Sequence, residues 1–388
     1  MRGPEGLRFS ALLSGAFCLT GVTLFVAAAS RVPNEATGTP VWPPGHWKTV
    51  IVYATFGAFV AYAAGLLLIA HAHVSGRAVI AIAIAIQLMP LTGPLLLSND
   101  ARKYVAFARA PDPYLGSNPT NYGPLWSMIS IPVSRIGDGV YAMRVLAAVA
   151  SLGLVALAWR LASRKALAAA FVGWNPFVAL NEAGGGHNDA LMMVAVLAAL
   201  VLATRGSRTL AGAAWAASVA VKWSSAPLYF LWAVAERRRH REAGLAGALI
   251  FSGLVVAAAF LTFGSGWLHV FSNLSGLSNS TLPTQLGFRA WLHGLGVSDG
   301  RSLQAMKALE LGLLGVFTFA AWRGRLRLGL AATLFALSIP YMDLWYVIWG
   351  IALSAADDDD RWGRVLAVAV TGYVLADAVT TYVEVSLA

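Results

Sequence analysis

A carboxylate and two cations stand close together in the stretch LLLSNDARKYVAF. Asp100 follows an apolar segment, Arg102 and Lys103 come directly after it, and Tyr104 would lie one helical turn along the same face. A carboxylate here can accept a proton from an attacking hydroxyl group as a general base. Nearby cations can stabilise the negative charge on a departing phosphate. This combination suits transfer of a group from a phosphate, whereas the alternative is that Asp100 only caps a helix by accepting its first free backbone amides.

A second polar group interrupts apolar sequence in AGGGHNDALMM, where His187, Asn188 and Asp189 follow three glycines. His187 could bind a phosphate or orient a carboxylate, because its charge state is tunable near neutral pH. Asn188 and Asp189 are further polar side chains that could contact a bound ligand. In the alternative, His187 and Asp189 only satisfy backbone groups that the glycines expose. Two potential ligands at this spacing are a weak metal signal, and we expect no metal and no other cofactor.

Further candidate ligands occur later in the chain. Lys222, in VKWSSAP, is costly within a membrane unless it faces a cavity or a partner. We expect it to bind an anion, and an ion pair with Asp189 or Asp343 is the alternative. Arg289 is another candidate ligand for the phosphate. Asp343 and Trp345, in SIPYMDLWY, are further candidates for contacts with a bound ligand.

An aromatic loop, APDPYLGSNPTNYGPLW, follows the first group. Asp112 precedes a proline, where aspartate is ordinarily a turn residue. Tyr114 and Tyr122 could stack on sugar rings, although an aromatic belt at the membrane interface is the default explanation. We expect Asp112, Tyr114 and Tyr122 to contact the sugar or the acceptor.

The composition shows what must position these residues. The chain has 388 residues, of which 58% are apolar and 12% charged, against about 25% charged in soluble domains. We therefore expect a polytopic membrane protein. The net charge of +10 lies in short loops, as the positive-inside bias requires, and does not indicate nucleic-acid binding. The single cysteine, Cys18, excludes an intramolecular disulfide and a cysteine metal site.

The first apolar segment, within residues 1–31, can be interpreted as a retained membrane helix or as a cleaved signal peptide. Its apolar run of about 20 residues is long for a signal peptide and matches one crossing of the bilayer. We therefore expect a retained first helix that starts on the cytoplasmic side.

Basic clusters predict the rest of the topology if each one is cytoplasmic. Their spacing leaves room for two large extracytoplasmic loops, about 98–138 and 264–300, at about 20 residues per crossing. Segments 209–236 and 328–360 are too short to cross twice, so we expect half-depth hairpins there. We predict an all-α bundle of about 13 membrane segments, forming a single domain over 1–388. The clusters are Arg2 and Arg8, Arg77, 160–165, Arg205 and Arg208, 237–241, 323–327, and Arg361 and Arg364.

Three turns of this topology carry polar residues: 184–189, 222–227 and 340–345. Irregular backbone at membrane depth is tolerated only where it is buried in protein or lines a wet cavity. We therefore expect the three turns to face one aqueous cavity on the outer side. The acidic tract Asp357–Asp360 falls on the other side, where we expect a solvated loop.

The order of these motifs resembles a known family. DARKYVAFARAPDPY, NYGPLW, Arg144, WNPFVALNEAGGGHNDALMM, VKWSSAP and PYMDLWYVIW are similar to motifs of polyprenol-phosphate-mannose-dependent α-1,6-mannosyltransferases of actinobacterial envelopes, in the GT-C superfamily. The resemblance runs from about 95 to 350, and GGHNDALM is its most specific part.

The resemblance implies a GT-C-like fold in a bacterial plasma membrane. It also implies inverting transfer of mannose from a polyprenyl-phosphate-sugar donor to an extracytoplasmic glycolipid or glycan acceptor, with Asp100 as the base. Membrane lipids would surround the enzyme, and nucleic acid would not be a partner. The alternatives are another lipid-linked sugar or acceptor, or a transporter or flippase of lipid-linked saccharides, although the repeats typical of transporters are not evident.

Overall fold

A computed structural model describes residues 4–31, 46–115, 119–278 and 286–384. All regular structure within these residues is helical, as expected for an apolar chain that must satisfy its backbone groups internally in lipid. The predicted all-α class is therefore confirmed. The α-helices are α1 (Pro4–Ala29), α2 (His46–His71), α3 (Gly76–Leu88), α4 (Asp100–Arg109), α5 (Pro124–Val133), α6 (Gly139–Leu161), α7 (Lys165–Gly173), α8 (Pro176–Val178), α9 (Asp189–Thr204), α10 (Arg208–Val221), α11 (Ala226–Arg238), α12 (Leu245–Phe263), α13 (Val270–Ser278), α14 (Gly287–Gly294), α15 (Asp299–Trp322), α16 (Leu328–Ser338), α17 (Val347–Ala356) and α18 (Arg361–Glu384).

Five of these helices are long and apolar enough to cross a membrane: α1, α2, α6, α12 and α15. Shorter apolar helices, among them α9, α16 and α17, pack with them. These features support a helical membrane protein. The count of about 13 membrane segments, the two large outer loops and the side on which each loop lies stay predictions.

The helices break where the sequence predicts the hairpin turns. Helix α10 ends at Val221, a short 3-10 turn follows at Trp223–Ser225, and α11 begins at Ala226. The 14 residues of α10 span about 21 Å at 1.5 Å per residue, less than the ~30 Å hydrocarbon core of a bilayer. Helices α16 and α17, of 11 and 10 residues, are shorter still and are separated by the turn at 339–346.

The glycine-rich turn between α8 and α9 packs closely against the start of α4. A Cβ atom on Gly186 would lie 2.8 Å from the Cβ of Ala101, and Gly186 itself has a φ of +76°. The backbone N–H of Leu96 donates to the carbonyl of Gly184 at 3.0 Å. Glycine is required here because a side chain would strain the backbone and push α4 away. This approach brings His187 next to Asp100.

Arg144, on α6, ties the same two segments together. Its buried guanidinium donates to the carbonyls of Ala183 at 3.1 Å and Gly93 at 2.9 Å, and also to the carbonyl of Pro90. One side chain therefore satisfies three backbone acceptors in two irregular segments. These contacts fix the position of the turn relative to the loop that precedes α4.

The acidic tract differs in part from the prediction. Asp360 is buried, and its carboxylate accepts the backbone N–H groups of Leu330 and Gly363, each at 2.9 Å. The carboxylate of Asp358 accepts the backbone N–H of Ser163 at 2.6 Å. The expectation of a solvated loop is wrong for Asp360, because this side chain caps the first turns of α16 and α18.

Candidate active site

A cavity of about 760 Å³ opens where α4 meets the two short hairpins. Its volume lies in the range of small-molecule sites, about 300–1,000 Å³. Six of the residues predicted from the sequence line it. These are Asp100, Lys103, Tyr122, Lys222, Asp343 and Trp345.

Asp100 is the first residue of α4, and its buried carboxylate points toward side chains. The carboxylate lies 3.2 Å from the ammonium of Lys103, 3.4 Å from the hydroxyl of Tyr104 and 3.3 Å from Nδ1 of His187. Burial disfavours the charged form, but His187 and Lys103 outweigh this effect and hold the pKa of Asp100 well below its usual range. The carboxylate is thus ionised at neutral pH and has side-chain partners where a simple helix cap would have backbone amides.

The imidazole of His187 lies beneath the cavity wall. It is fully buried and stacks on the indole of Trp345, with 4.1 Å between ring centroids and an interplanar angle of 22°. Trp345 lines the cavity on its other side. His187 is therefore placed to orient Asp100, and it has no direct opening to a ligand in the cavity.

A group of hydroxyls surrounds the same carboxylate. The hydroxyl of Tyr104 lies 3.4 Å from the hydroxyl of Tyr122 and 3.4 Å from Oδ1 of Asn188. Tyr122 donates to Oδ2 of Asp100 at 3.5 Å. Asn188 therefore contacts the site through Tyr104, one layer behind the cavity wall.

Lys222 and Asp189 form a buried ion pair. The ammonium lies 2.7 Å from Oδ2 of Asp189, and the indole N–H of Trp349 donates to Oδ1 at 2.7 Å. The ring of Tyr346 lies 4.6 Å from the same ammonium, close enough for a cation–π contact. The structure thus contains the ion pair that the sequence left as an alternative, and Lys222 lines the cavity as well.

Asp343 is the second carboxylate on the cavity surface and is only half-buried. Partial burial and the charge of Asp100 raise the pKa of Asp343 to about 7, although Lys222 and Lys103 oppose the shift. Asp343 can therefore change its charge near neutral pH, whereas Asp100 stays ionised.

Besides His187, two other predicted phosphate ligands lie away from the cavity surface. Arg102 is half-buried on α4 and is not among the lining residues. Arg289 is fully buried on α14 and donates to the carbonyl of Pro340 at 3.1 Å. Arg289 thus supports the turn that carries Asp343 and lies behind it.

The two earlier residues of the aromatic loop also lie outside the lining. The carboxylate of Asp112 accepts the backbone N–H of Tyr114 at 2.8 Å, which is a turn contact. The hydroxyl of Tyr114 shares a hydrogen bond with that of Ser127 at 2.8 Å, and its ring is buried against α12 and α13. Of the three loop residues predicted, only Tyr122 lines the cavity.

Sequence reasoning did not find Tyr346 and Trp349 as parts of this site. Trp349 lies one helical turn after Trp345, so the i, i+4 spacing was an available signal. Glu182, just before the glycine-rich turn, is fully buried, and its carboxylate accepts the backbone N–H of Ala190 at 3.1 Å. Within the described residues, no group of three or more His, Cys, Asp or Glu side chains could hold a metal ion.

Residues 100–236 match the family model described as Alpha-(1->6)-mannopyranosyltransferase, N-terminal domain, of the MptA_B family. The match covers about a third of the chain and contains Asp100, the glycine-rich turn and Lys222. No curated protein and no solved structure matches the chain. Over these residues the chain is similar to α-1,6-mannosyltransferases, which confirms the resemblance to the GT-C mannosyltransferases.

Proposed function

We propose that the chain transfers mannose from a polyprenyl-phosphate donor to a glycolipid or glycan acceptor, on the extracytoplasmic side of a bacterial plasma membrane. The observation that carries this proposal is the cavity that brings an ionised carboxylate, Asp100, together with two cations, Lys103 and Lys222. A base and charge-stabilising groups in one cavity are what glycosyl transfer from a phosphate needs. The family match supports the sugar and the type of reaction.

In this reaction the acceptor hydroxyl oxygen attacks the anomeric carbon, and the bond from that carbon to the phosphate oxygen breaks. The hydroxyl proton passes to the carboxylate of Asp100, and polyprenyl phosphate leaves with the bonding electron pair. Attack from the face opposite the phosphate inverts the anomeric configuration. A carboxylate with a low pKa is a weak base, but it stays charged at neutral pH and is therefore available to accept the proton.

Lys103 and Lys222 are the proposed ligands of the departing phosphate. An ammonium group has three N–H donors, and Asp189 accepts one from Lys222. The remaining donors can serve a ligand in the cavity, because Lys222 also lines it. The exposed ammonium of Lys103 is close to Asp100, which places a cation beside the reacting centre.

The sugar and the acceptor are proposed to contact Tyr122, Asp343 and Trp345, which lie on the cavity surface. Asn188 and Asp189 act one layer deeper, through Tyr104 and Lys222. Because lysine side chains can neutralise the phosphate, the reaction as proposed needs no metal ion.

Transfer by the purified full chain in lipid nanodiscs tests the proposal. We expect transfer from polyprenyl-phosphate-mannose to a mannosylated glycolipid in the presence of a chelator, with an inverted anomeric centre by NMR. The matched arm supplies GDP-mannose without any lipid-phosphate donor and should give no product. Efficient transfer from GDP-mannose, or loss of transfer on chelation, would contradict the proposal. Transfer only from a different polyprenyl-phosphate sugar would correct the sugar and keep the mechanism.

A further inference from the structure

A second cavity, of about 240 Å³, lies between helix ends far from the candidate active site. It shares no lining residue with the first cavity. Its wall includes Arg208, Trp232, Glu236, Arg239, Arg241 and Leu353.

The short helices connect the two cavities end to end. Helix α10 begins at Arg208 in the second cavity and ends beside Lys222 in the first. Helices α11 and α17 run in the opposite direction, from the first cavity to the second. Pro227 and Trp349 line the first cavity, and Arg239 and Asp357, which directly follow the two helices, line the second. The length of α10, about 21 Å, gives the approximate separation. The second cavity is therefore a distinct site at the opposite end of the bundle.

One side of this cavity is strongly basic. The buried carboxylate of Glu236 lies 2.5 Å from the guanidinium of Arg208 and 3.2 Å from that of Arg239. A single carboxylate thus pairs with two arginines and neutralises one of their two charges. Arg241 lies on the same rim and adds a further positive charge.

The basic character extends beyond the rim. The lining holds three arginines against two acids, and the second of these acids, Asp357, lies 3.9 Å from the guanidinium of Arg327. An anion entering the cavity would therefore meet a net positive field. The segments that border the cavity carry the further cations Arg205, Arg237, Arg238, Arg323 and Arg325 and the further acids Asp358 to Asp360.

The other side of the cavity is apolar. Leucines from α6, α9, α16 and α17 and the ring of Trp232 form this wall, and Trp232 and Leu353 are buried. A soluble anion would gain nothing from such a wall. An amphiphile with a phosphate would use both sides, since its phosphate meets the arginines and its first methylenes meet the leucines.

We propose that this second cavity binds the headgroup and the first acyl carbons of an anionic phospholipid. Basic pockets between membrane helices are the type of site that holds such headgroups. The inference does not depend on the chemistry of the first cavity. The opposing explanation is that the arginines only orient the chain in the membrane, which would require neither an apolar wall nor arginines paired with a buried carboxylate.

Native mass spectrometry of the purified full chain tests the proposal, with phosphatidylglycerol as the probe and phosphatidylcholine as the neutral lipid. The double variant Arg239→Gln/Arg241→Gln removes two rim charges and leaves Arg208 paired with Glu236. Its matched control, Arg237→Gln/Arg238→Gln, removes two charges from the same tract that do not line the cavity. At about 1 kcal/mol for each arginine near anionic lipid and 1.4 kcal/mol for each tenfold, the first variant should bind phosphatidylglycerol about 30-fold more weakly.

The control should retain the wild-type affinity, and inorganic phosphate should not compete with the lipid. Equal loss of phosphatidylglycerol affinity in both variants would contradict the proposed site, because it would show only a general effect of charge. Competition by inorganic phosphate at the lipid's own concentration would show that the apolar wall takes no part and would also overturn it. A second variant, Leu353→Gln, keeps every charge and should still weaken binding if acyl carbons enter the cavity.

Discussion

The same substitution at two buried carboxylates, Asp100→Asn and Asp189→Asn, should have opposite effects on transfer and on stability. Both side chains belong to the candidate active site, and both have a lysine partner. They differ in what surrounds that lysine. The side chain of Lys103, beside Asp100, is 57% exposed, whereas that of Lys222, beside Asp189, is 11% exposed.

The exposure of each lysine determines how much stability the substitution beside it is expected to remove. An ion pair with an exposed lysine contributes about 0–1 kcal/mol to stability, so loss of the Lys103 contact should cost Asp100→Asn little; the substitution also removes the charge beside the buried imidazole of His187, and we expect its total cost to stay below that of Asp189→Asn. Loss of a general base should lower the transfer rate by about 10²–10⁴-fold. At Asp189, removal of one partner from a buried pair leaves Lys222 uncompensated, at a cost of about 3–5 kcal/mol.

Both quantities can be measured on one preparation of each variant. Thermal unfolding followed by size-exclusion chromatography gives the stability, and sugar transfer per folded molecule gives the activity. We expect Asp100→Asn to be folded and inactive, and Asp189→Asn to lose folded protein first. Substantial transfer by the Asp100→Asn protein would refute its role as the base. Equal destabilisation by the two substitutions would refute the distinction drawn from lysine exposure.

Three further predictions concern the surroundings of these residues. Burial and the charge of Asp100 raise the pKa of Asp343 to about 7, so Asp343 is neutral below that pH and anionic above it. The KM for the polyprenyl-phosphate donor should therefore rise above pH 7 in the wild type and stay constant in Asp343→Asn, and a rise of equal size in both proteins would contradict this. Lys222→Gln should lower kcat/KM for transfer by an amount equivalent to about 2–4 kcal/mol, by analogy with lost oxyanion donors, and unchanged steady-state kinetics with the lipid donor would exclude phosphate binding by this lysine. Asp360→Ala removes a cap shared by two helices and should reduce the free energy of unfolding by about 0.5–2 kcal/mol, while transfer per folded molecule stays at the wild-type level.

The sequence predicted the parts of the fold that depend on local length and composition. The count of residues between basic clusters predicted the breaks near Lys222 and near Asp343, because a segment too short to cross twice must turn early. Helical spacing also placed Tyr104 one turn from Asp100, and its hydroxyl lies 3.4 Å from that carboxylate. Each of these inferences needs only neighbouring residues.

Features that depend on tertiary packing were not accessible in the same way. Nothing local to Arg289 or Tyr114 indicates that each side chain is buried behind other segments. Asp189 and Trp349 are 160 positions apart, so their contact could not be inferred from spacing. Asp360 is similar, since its acidic neighbours suggest a solvated loop while its own partners lie on two helices.

The distance along the chain between Asp189 and its partners has a consequence for biogenesis. Lys222 is synthesised 33 positions after Asp189, and Trp349 follows 160 positions after Asp189. Ribosomes add about 5–20 residues each second, so about 8–32 s separate the synthesis of Asp189 from that of Trp349. During that interval the carboxylate of Asp189, at the start of α9, lacks one of its hydrogen-bond donors. Helix α17 supplies this donor only near the end of translation. Chains released before residue 349 would therefore lack the indole donor to Asp189 permanently.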